Sequence, residues 1–331
     1  MRGPNETVPQ RSVHQTRSGP QFFASQPLPS KRPSCVLPTS NLKILHANLR
    51  ADTLQVHLLP QLAGEESFRG GVAVVIDVLR ASTTITQALA GGATAVVPCQ
   101  TVPEAHAVAA EIVGFKLSSP DGTVPEDVRA KAGLILGGER QGRLIPGFDL
   151  DNSPMKYAPS VVVGKTVIFT TTNGTRALRH CRLAERVLIG CFNNLHAVIA
   201  LLADESEKRP IHLVCAGTDA AISTEDCLCA GAIATGVWMA RNWPKWIGDE
   251  LRLVMDLFTC RCQPKRELVQ VLRESEGGRN LIALGLDADI DRAVLWDLFT
   301  IVPEFDAATR RIRPAAGVPN DPKHWLMAPR E

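Results

Sequence analysis

Short apolar segments alternate with helical patterns along most of this chain, and this alternation restricts the fold more than any other feature. Residues 71–78 form an apolar, β-branched run typical of a buried strand, and the helical pattern at 82–90 ends at Gly91 and Gly92. The same order recurs, which indicates a layered α/β fold. Predicted strands cover 54–59, 71–78, 93–97, 133–136, 165–170, 186–189 and 211–215, and predicted helices cover 82–90, 103–113, 175–180, 193–202 and 223–239.

The two ends of the chain differ from this alternating middle part. Residues 1–50 are rich in Pro, Ser, Gln and Arg without apolar periodicity, so we expect either a disordered N-terminal extension there or the product of a start codon assigned too early. We expect residues 51–313 to form one α/β/α domain with a largely parallel or mixed sheet, and residues 314–331 to form a tail. After residue 241 the pattern becomes helical and more charged. Predicted C-terminal helices that pack on the sheet cover 249–258, 264–275, 280–283 and 290–299.

The composition excludes several classes of function. The chain has 331 residues, a formal net charge of +2 and one Tyr, which argues against a nucleic-acid surface. No apolar run reaches the roughly 18 residues of a membrane span, so we expect no membrane partner. The nine cysteines form no C-x-x-C pair, which argues against a zinc site. We therefore expect reduced thiols in a cytoplasmic protein.

A run of hydroxyl and amide side chains follows one predicted strand. The sequence TTTNGTR occupies residues 170–176, between an apolar segment and a predicted helix. Strand ends leave N–H groups unpaired, and the positive end of a helix attracts an anion such as phosphate or sulfonate. Ligands of α/β sheets bind beyond the carboxyl ends of the strands. We therefore predict substrate-binding residues at Thr171, Thr172, Asn173, Gly174, Thr175 and Arg176.

Asp77 ends the apolar run 72–76, where an unpaired carboxylate is costly. A salt bridge to Arg80 would explain an acid at this position, and so would a role of Asp77 as a magnesium ligand or a nucleophile. The haloacid-dehalogenase phosphatases place a second Asp two positions later, but Leu79 stands there. Ser82 and Thr83 open the next helix, either as simple capping residues or as part of the anion pocket.

Further acidic residues follow other strands. Glu139 and Arg140 come after two glycines, where they fit a metal ligand and an oxyanion partner, or an ordinary surface ion pair. Asp149 and Asn152 lie in a turn-rich loop. They could act as metal ligands, or their side chains could form Asx turns.

Two adjacent acids open the long helix predicted at 223–239. The helix dipole alone favours Glu225 and Asp226 in a first turn. Together with Asp77 and Glu139 they would instead complete an oxygen-rich Mg²⁺ site.

Five motifs occur in the order found in the 2-phosphosulfolactate phosphatase (ComB) family, which this chain resembles from about residue 54 to about residue 305. Each motif alone is weak, and the five in order support the resemblance. They are VVIDVLRASTT at 74–84, GGER at 137–140, GFD with NSP at 147–149 and 152–154, TTTNGT at 170–175, and AGT with ED at 216–218 and 225–226.

The resemblance implies a magnesium-dependent phosphoric monoester hydrolase. Its substrate would be (R)-2-phospho-3-sulfolactate, hydrolysed to 3-sulfolactate and phosphate on the route to coenzyme M. This small substrate carries phosphate, carboxylate and sulfonate groups, so its pocket needs several fixed cations. The arginines available for that purpose are Arg80, Arg140, Arg143 and Arg176.

The resulting hypothesis is metal-assisted hydrolysis of a phosphate monoester. The attacking group stays open between a water held by the metal and Asp77 itself. Residues 171–175 would hold the second anionic end of the substrate. The catalytic candidates are Asp77, Arg80, Glu139 and Arg140, and the Mg²⁺ ligands would be Asp77, Glu139 and one or both of Glu225 and Asp226.

Other activities remain open from the sequence. The chain could hydrolyse another small phosphorylated 2-hydroxy acid, act as a transferase, or bind an anionic metabolite without catalysis. Neither a P-loop nor a dinucleotide fingerprint is present, and a pure anion binder gains nothing from acids beside the arginines. A homodimer whose interface the late helices supply is a further expectation.

Overall fold

A computed structural model describes residues 54–118, 122–205, 209–241, 247–262 and 267–316. Its ten strands form one mixed sheet. In chain order they are β1 (Leu54–His57), β2 (Val72–Ile76), β3 (Ala95–Cys99), β4 (Leu134–Arg140), β5 (Arg143–Leu144), β6 (Thr166–Thr170), β7 (Arg186–Gly190), β8 (Ile211–Cys215), β9 (Pro303–Asp306) and β10 (Arg311–Pro314). Across the sheet the order is β1-β8-β2-β7-β9-β10-β3-β6-β4-β5.

Two groups of parallel strands, β1-β8-β2-β7 and β3-β6-β4, make up most of the sheet. The β9–β10 hairpin joins them through three successive antiparallel pairings, so strand direction reverses along the ladder between the groups. The carboxyl ends of β2 and β6 nevertheless lie against each other. A Cβ added to Gly174, just after β6, would lie 2.8 Å from Oδ2 of Asp77, just after β2.

Eleven helices accompany the sheet in the described part of the chain, and most of the predicted helices are confirmed within a few residues. They are α1 (Ala81–Ala90), α2 (Val102–Val113), α3 (Glu126–Lys131), α4 (Pro159–Val162), α5 (Gly174–His180), α6 (Leu195–Glu205), α7 (Thr224–Arg241), α8 (Asp249–Arg261), α9 (Leu268–Glu274), α10 (Glu276–Ala283) and α11 (Asp287–Ala293). None of these helices is long and apolar enough to cross a membrane.

Helices cover both faces of the parallel strands. Along β2, Val72, Val74 and Ile76 pack in one apolar cluster with α6, α7 and the late helices. The alternate residues Ala73 and Val75 pack in a second cluster with α1. Because successive side chains of a strand point to opposite faces, a strand buried on both faces needs the continuous apolar run seen here. The predicted layered α/β/α fold with a mixed sheet and packed C-terminal helices is therefore confirmed.

The end of the predicted helix 290–299 is wrong. Helix α11 ends at Ala293 because the chain beyond it bonds to the connection between β7 and α6. The Asn193 amide donates to the carbonyl of Leu295 at 2.6 Å, and the N–H of Asp297 donates to the carbonyl of Phe192 at 3.0 Å. These partners replace the hydrogen bonds of a continuing helix.

One strand end, one helix start and one hairpin also differ from the sequence prediction. Strand β4 runs to Arg140, beyond the predicted 133–136, and the hairpin β9–β10 was not predicted. Helix α10 begins at Glu276, where the Ser275 hydroxyl accepts from the N–H of Gly278. The predicted disordered extension and most of the predicted tail lie outside the described residues, and the domain boundaries at 50 and 313 stay predictions.

Candidate active site

Asp77 lies at the carboxyl end of β2, held by the first turn of α1. Its Oδ1 accepts from the Ala81 N–H at 3.1 Å, and its own N–H donates to the Ser82 hydroxyl at 2.9 Å. The Thr83 hydroxyl donates to the carbonyl of Val78 at 2.8 Å. The hydroxyls of Ser82 and Thr83 thus bond to the backbone around Asp77, and their predicted role in binding substrate stays a prediction.

Glu139 lies within β4, whereas the sequence analysis had placed it in a loop after the strand. Its Oε1 accepts from the N–H and the hydroxyl of Thr172 at 3.1 and 3.2 Å, and its Oε2 accepts from the Gly142 N–H at 2.8 Å. The strand continues because Gly138 lets the backbone of β6 approach. A Cβ there would lie 2.0 Å from the carbonyl oxygen of Thr170, and the φ of Gly138 is +141°.

The two acids at the start of α7 have different surroundings. Asp226 accepts from two backbone N–H groups, Val78 at 2.8 Å and Gly217 at 3.1 Å, so it ties the ends of β2 and β8 together. Glu225 is buried, and its Oε2 has no hydrogen-bond partner. A Cβ on Gly277 would lie 2.2 Å from Glu225 Oε1, so α10 packs closely on this carboxylate.

Burial and neighbouring charges raise the pKa of Asp77, Asp226 and Glu225. Burial raises the pKa of Asp77 to about 7, with further increases from Glu139 and Glu225, against the Ala81 hydrogen bond and the charge of Arg80. Burial and the charges of Asp77 and Glu225 raise the pKa of Asp226 well above its ordinary value, and burial also raises the pKa of Glu225. A cluster of this kind favours a bound proton or a bound cation.

Three predicted cationic groups have different environments. Arg80 is buried, and its guanidinium donates to Asp289 at 2.8 Å and to the carbonyl of Gly142 at 3.0 Å. The salt bridge from Arg80 to Asp77 considered above is therefore not the one that forms. Arg140 donates to the Thr170 hydroxyl at 2.9 Å. Arg176 lies exposed on α5 and donates to the side-chain Oδ1 of Asn173 at 3.1 Å.

A cleft of about 450 Å³ opens between these strand ends and α10. Several predicted residues line it, and α10 contributes groups that sequence reasoning missed. Its lining consists of Leu79, Arg80, Glu139, Gln141, Gly142, Thr172, Asn173, Thr218, Asp219, Gly277, Asn280, Leu281, Ala283 and Leu284.

The other residues of the segment 170–176 do not line the cleft. The buried Thr171 hydroxyl has no hydrogen-bond partner, and the Thr175 hydroxyl donates to the Thr171 carbonyl at 2.8 Å. Gly174 is required where it stands, because a Cβ would lie 2.7 Å from the Ala81 Cβ as well as against Asp77. The close approach of Gly174 to α1 therefore fixes the segment in which Thr172 and Asn173 reach the cleft.

The donor chemistry of the acids fits a hard cation such as Mg²⁺. No group of three or more His, Cys, Asp or Glu side chains is arranged to hold a metal ion among the described residues. Mg²⁺ commonly keeps several waters and takes one or two carboxylates, so Asp77 and one neighbouring acid, such as Glu225 with its unpartnered Oε2, would suffice. Asp226 and Glu139 accept hydrogen bonds on both of their oxygens, so either would have to give up such a bond to bind the ion.

Two residues from the turn-rich loop were considered as metal ligands. Asp149 forms an ion pair with Arg129 at 2.7 Å and accepts from the Leu136 N–H at 2.7 Å. It therefore braces β4 and lies outside the lining of the cleft. The carbonyl of Asn152 accepts from the Thr84 hydroxyl at 2.9 Å, while its side-chain Oδ1 is buried without a partner.

Comparisons with known proteins indicate the family of this chain. A family model for 2-phosphosulpholactate phosphatase matches residues 57–308. Proteins named probable 2-phosphosulfolactate phosphatase from Symbiobacterium thermophilum, Thermotoga petrophila and Caldicellulosiruptor saccharolyticus are 40%, 36% and 32% identical to the chain. The alignments cover 72%, 70% and 73% of this chain and 93%, 87% and 91% of those proteins. The chain therefore belongs to the 2-phosphosulfolactate phosphatase family, a family of phosphatase enzymes.

Proposed function

We propose that this protein hydrolyses (R)-2-phospho-3-sulfolactate to 3-sulfolactate and phosphate. The names of its relatives support the substrate. The observation that carries the proposal is the cleft that Arg80, Glu139, Thr172 and Asn173 line together. Asp77 does not line this cleft, but its buried carboxylate is close enough to Glu139 for the two charges to interact. Cations and hydroxyl groups suit the anionic substrate, and buried acids suit proton transfer and a metal ion.

The reaction breaks the ester P–O bond and adds the oxygen of water to phosphorus. A carboxylate of the site, for which Asp77 is our candidate, orients the attacking water and accepts the proton that the water loses. The proton then passes to the leaving alkoxide of sulfolactate. In the alternative route Asp77 attacks phosphorus itself, and trapping a phosphoaspartate would distinguish the two routes.

The arginines would stabilise the charge that develops on the phosphoryl oxygens. Arg80 lies in the wall of the cleft, and we assign the transferred phosphoryl group to it. Arg140 is our second candidate, oriented by its hydrogen bond to Thr170. Thr172 and Asn173 lie on the same cleft and would bind the carboxylate or sulfonate end of the substrate.

We also propose that the enzyme uses Mg²⁺, held by Asp77 and by one or both of Glu139 and Glu225. The bound ion would polarise a phosphoryl oxygen and offset the charge of the substrate. The supporting observations are the raised pKa values of Asp77 and Glu225 and the unpartnered Oε2 of Glu225. A cation would relieve the repulsion among these groups.

The wider setting is part of the same proposal. We place the protein in the cytoplasm on the route to coenzyme M, and the eight described cysteines are all free thiols, as a reducing compartment requires. A homodimer through the late helices stays a prediction.

Phosphate release by the full-length protein tests the proposal. The substrates are racemic phosphosulfolactate, phospholactate and a generic aryl phosphate, each with Mg²⁺ and with EDTA. We expect turnover that requires Mg²⁺ and strongly favours phosphosulfolactate. Preference for phospholactate would keep the phosphatase chemistry and change the substrate, and no release from any of them would contradict the proposal.

A further inference from the structure

Arg80 is bound by a carboxylate that lies 209 residues further along the chain. Asp289 belongs to α11, and its Oδ2 accepts from the Arg80 guanidinium at 2.8 Å. The two side chains are only 3% and 2% exposed. The other oxygen, Oδ1, accepts from the Ser153 hydroxyl at 2.5 Å. Both carboxylate oxygens are therefore occupied, and the carboxylate has one defined orientation.

These contacts fix the guanidinium at the wall of the cleft. One terminal nitrogen of Arg80 donates to Asp289, and the other donates to the carbonyl of Gly142. A guanidinium has five N–H donors, so further donors remain for an anion. The Gly142 N–H also donates to Glu139, so the backbone of one residue contacts both the arginine and the acid.

We infer that Asp289 is a positioning residue for the proposed phosphatase reaction, acting through Arg80, and that Ser153 holds Asp289 in place. The inference rests on the proposed function. Stability alone does not explain the pair, because replacing a buried ion pair with apolar residues is often neutral or stabilising. Its place beside the cleft does explain it, because an arginine that must meet a phosphoryl group needs a fixed direction.

The first test compares two Asp→Asn substitutions on the same helix. Asp289→Asn should lower kcat for phosphosulfolactate by about 10- to 100-fold, the loss expected from a misplaced catalytic group, with a smaller change in KM. Asp291→Asn is the matched control, because Asp291 also binds an arginine, Arg273, but at the surface. The control should stay within about threefold of wild type. Equal activities for the two folded variants would overturn the inference.

The second test asks whether Asp289 acts through Arg80. Arg80→Ala should be inactive and should regain part of its activity when guanidinium ion is added. The double variant Arg80→Ala/Asp289→Asn should show no such rescue, because the carboxylate that orients the ion is gone. A merely structural carboxylate predicts equal rescue in both backgrounds, and that result would contradict our inference.

Asp289→Asn removes one partner of a buried pair, and such changes can unfold a protein. Ser153→Ala keeps the ion pair and removes only the hydroxyl on Oδ1. We expect it to fold with a somewhat lower melting temperature, because one buried hydrogen bond is lost, and to lose about 3- to 10-fold in kcat. If Asp289→Asn does not fold, wild-type turnover in Ser153→Ala decides against the inference.

Phosphate binding separates this inference from the proposed function. If the wild type does not hydrolyse phosphosulfolactate, the proposed function fails. Calorimetric titration with inorganic phosphate then judges the inference. Asp289→Asn should bind phosphate about tenfold more weakly than wild type and Asp291→Asn should not, whereas equal affinities, or no binding by wild type, would overturn it.

Discussion

Replacing Asp77 by Asn should abolish activity and at the same time make the metal-free protein more stable. The substitution keeps the size of the side chain and an oxygen that accepts from Ala81. It removes a negative charge that burial and two neighbouring acids, Glu139 and Glu225, oppose. The charge is needed for chemistry in either of the two routes above and is unfavourable for folding in the absence of a cation.

The pKa of Asp77 gives the size and the pH range of this effect. In the folded state it rises from 3.8 to about 7, which corresponds to about 4 kcal/mol at 1.4 kcal/mol per pKa unit. A raised carboxyl pKa means that folding binds a proton, so the penalty is absent below the unfolded pKa. It grows as pH rises from 4 to 7 and is constant above. The gain in Asp77→Asn should follow the same course.

Urea unfolding in EDTA across this pH range measures the difference. The free energy of unfolding of Asp77→Asn should exceed that of wild type by up to about 4 kcal/mol at pH 8 and by almost nothing at pH 4. The control is Asp127→Asn, whose exposed carboxylate pairs with Lys131 and should shift stability by less than about 0.5 kcal/mol. A variant that is no more stable than wild type at pH 8, or one that turns over substrate normally, would refute the reasoning.

Three further predictions concern the metal, a glycine and a histidine pair. Mg²⁺ should raise the melting temperature of wild type more than that of Asp77→Asn in a thermal-shift assay, and equal shifts would argue against this ligand. Gly138→Ala should unfold at a clearly lower temperature than wild type, because its Cβ would meet the Thr170 carbonyl at 2.0 Å where φ is +141°. The surface substitution Gly64→Ala, with nothing within 4 Å, is its control. Burial lowers the pKa of both His57 and His212 to about 4, so the stability present above pH 6.5 should be lost as pH falls towards 4. At pH 5 His212 should have lowered the free energy of unfolding by about 2 kcal/mol. His212→Gln should therefore make the free energy of unfolding, measured in urea, depend less steeply on pH.

The sequence predicted the parallel part of the sheet well because local patterns define it. The apolar run 72–76 is buried on both faces, and no polar residue interrupts it until Asp77. The hairpin β9–β10 escaped prediction for the opposite reason. Its strands begin and end with Pro303 and Pro314, and charged residues alternate with few apolar ones. Only tertiary pairing with β7 and β3 makes these segments strands.

The candidate site was predicted only where its residues follow strands. Asp77, Glu139 and Thr172 were found because an acid or a hydroxyl stands out after an apolar run. Asp289 was missed because it lies among other charged residues of α11, Asp287, Asp291 and Arg292, and nothing in the sequence distinguishes it from a solvated surface group. Its burial depends on Arg80 and Ser153, which are distant in sequence. Local patterns contain no information on such a contact.

The hairpin at 303–314 has a consequence for how the protein is made. A ribosome releases both parallel groups of strands well before it synthesises the hairpin that stands between them in the sheet. Until then β7 and β3 each present an open edge, which is the kind of surface that pairs with other chains. A chain cut short before Pro303 would retain Asp77, Glu139 and Asp289. It would lack β9 and β10, the two strands that connect β7 to β3 in the sheet. Such a product would be prone to aggregate, although every residue proposed for catalysis had already been made.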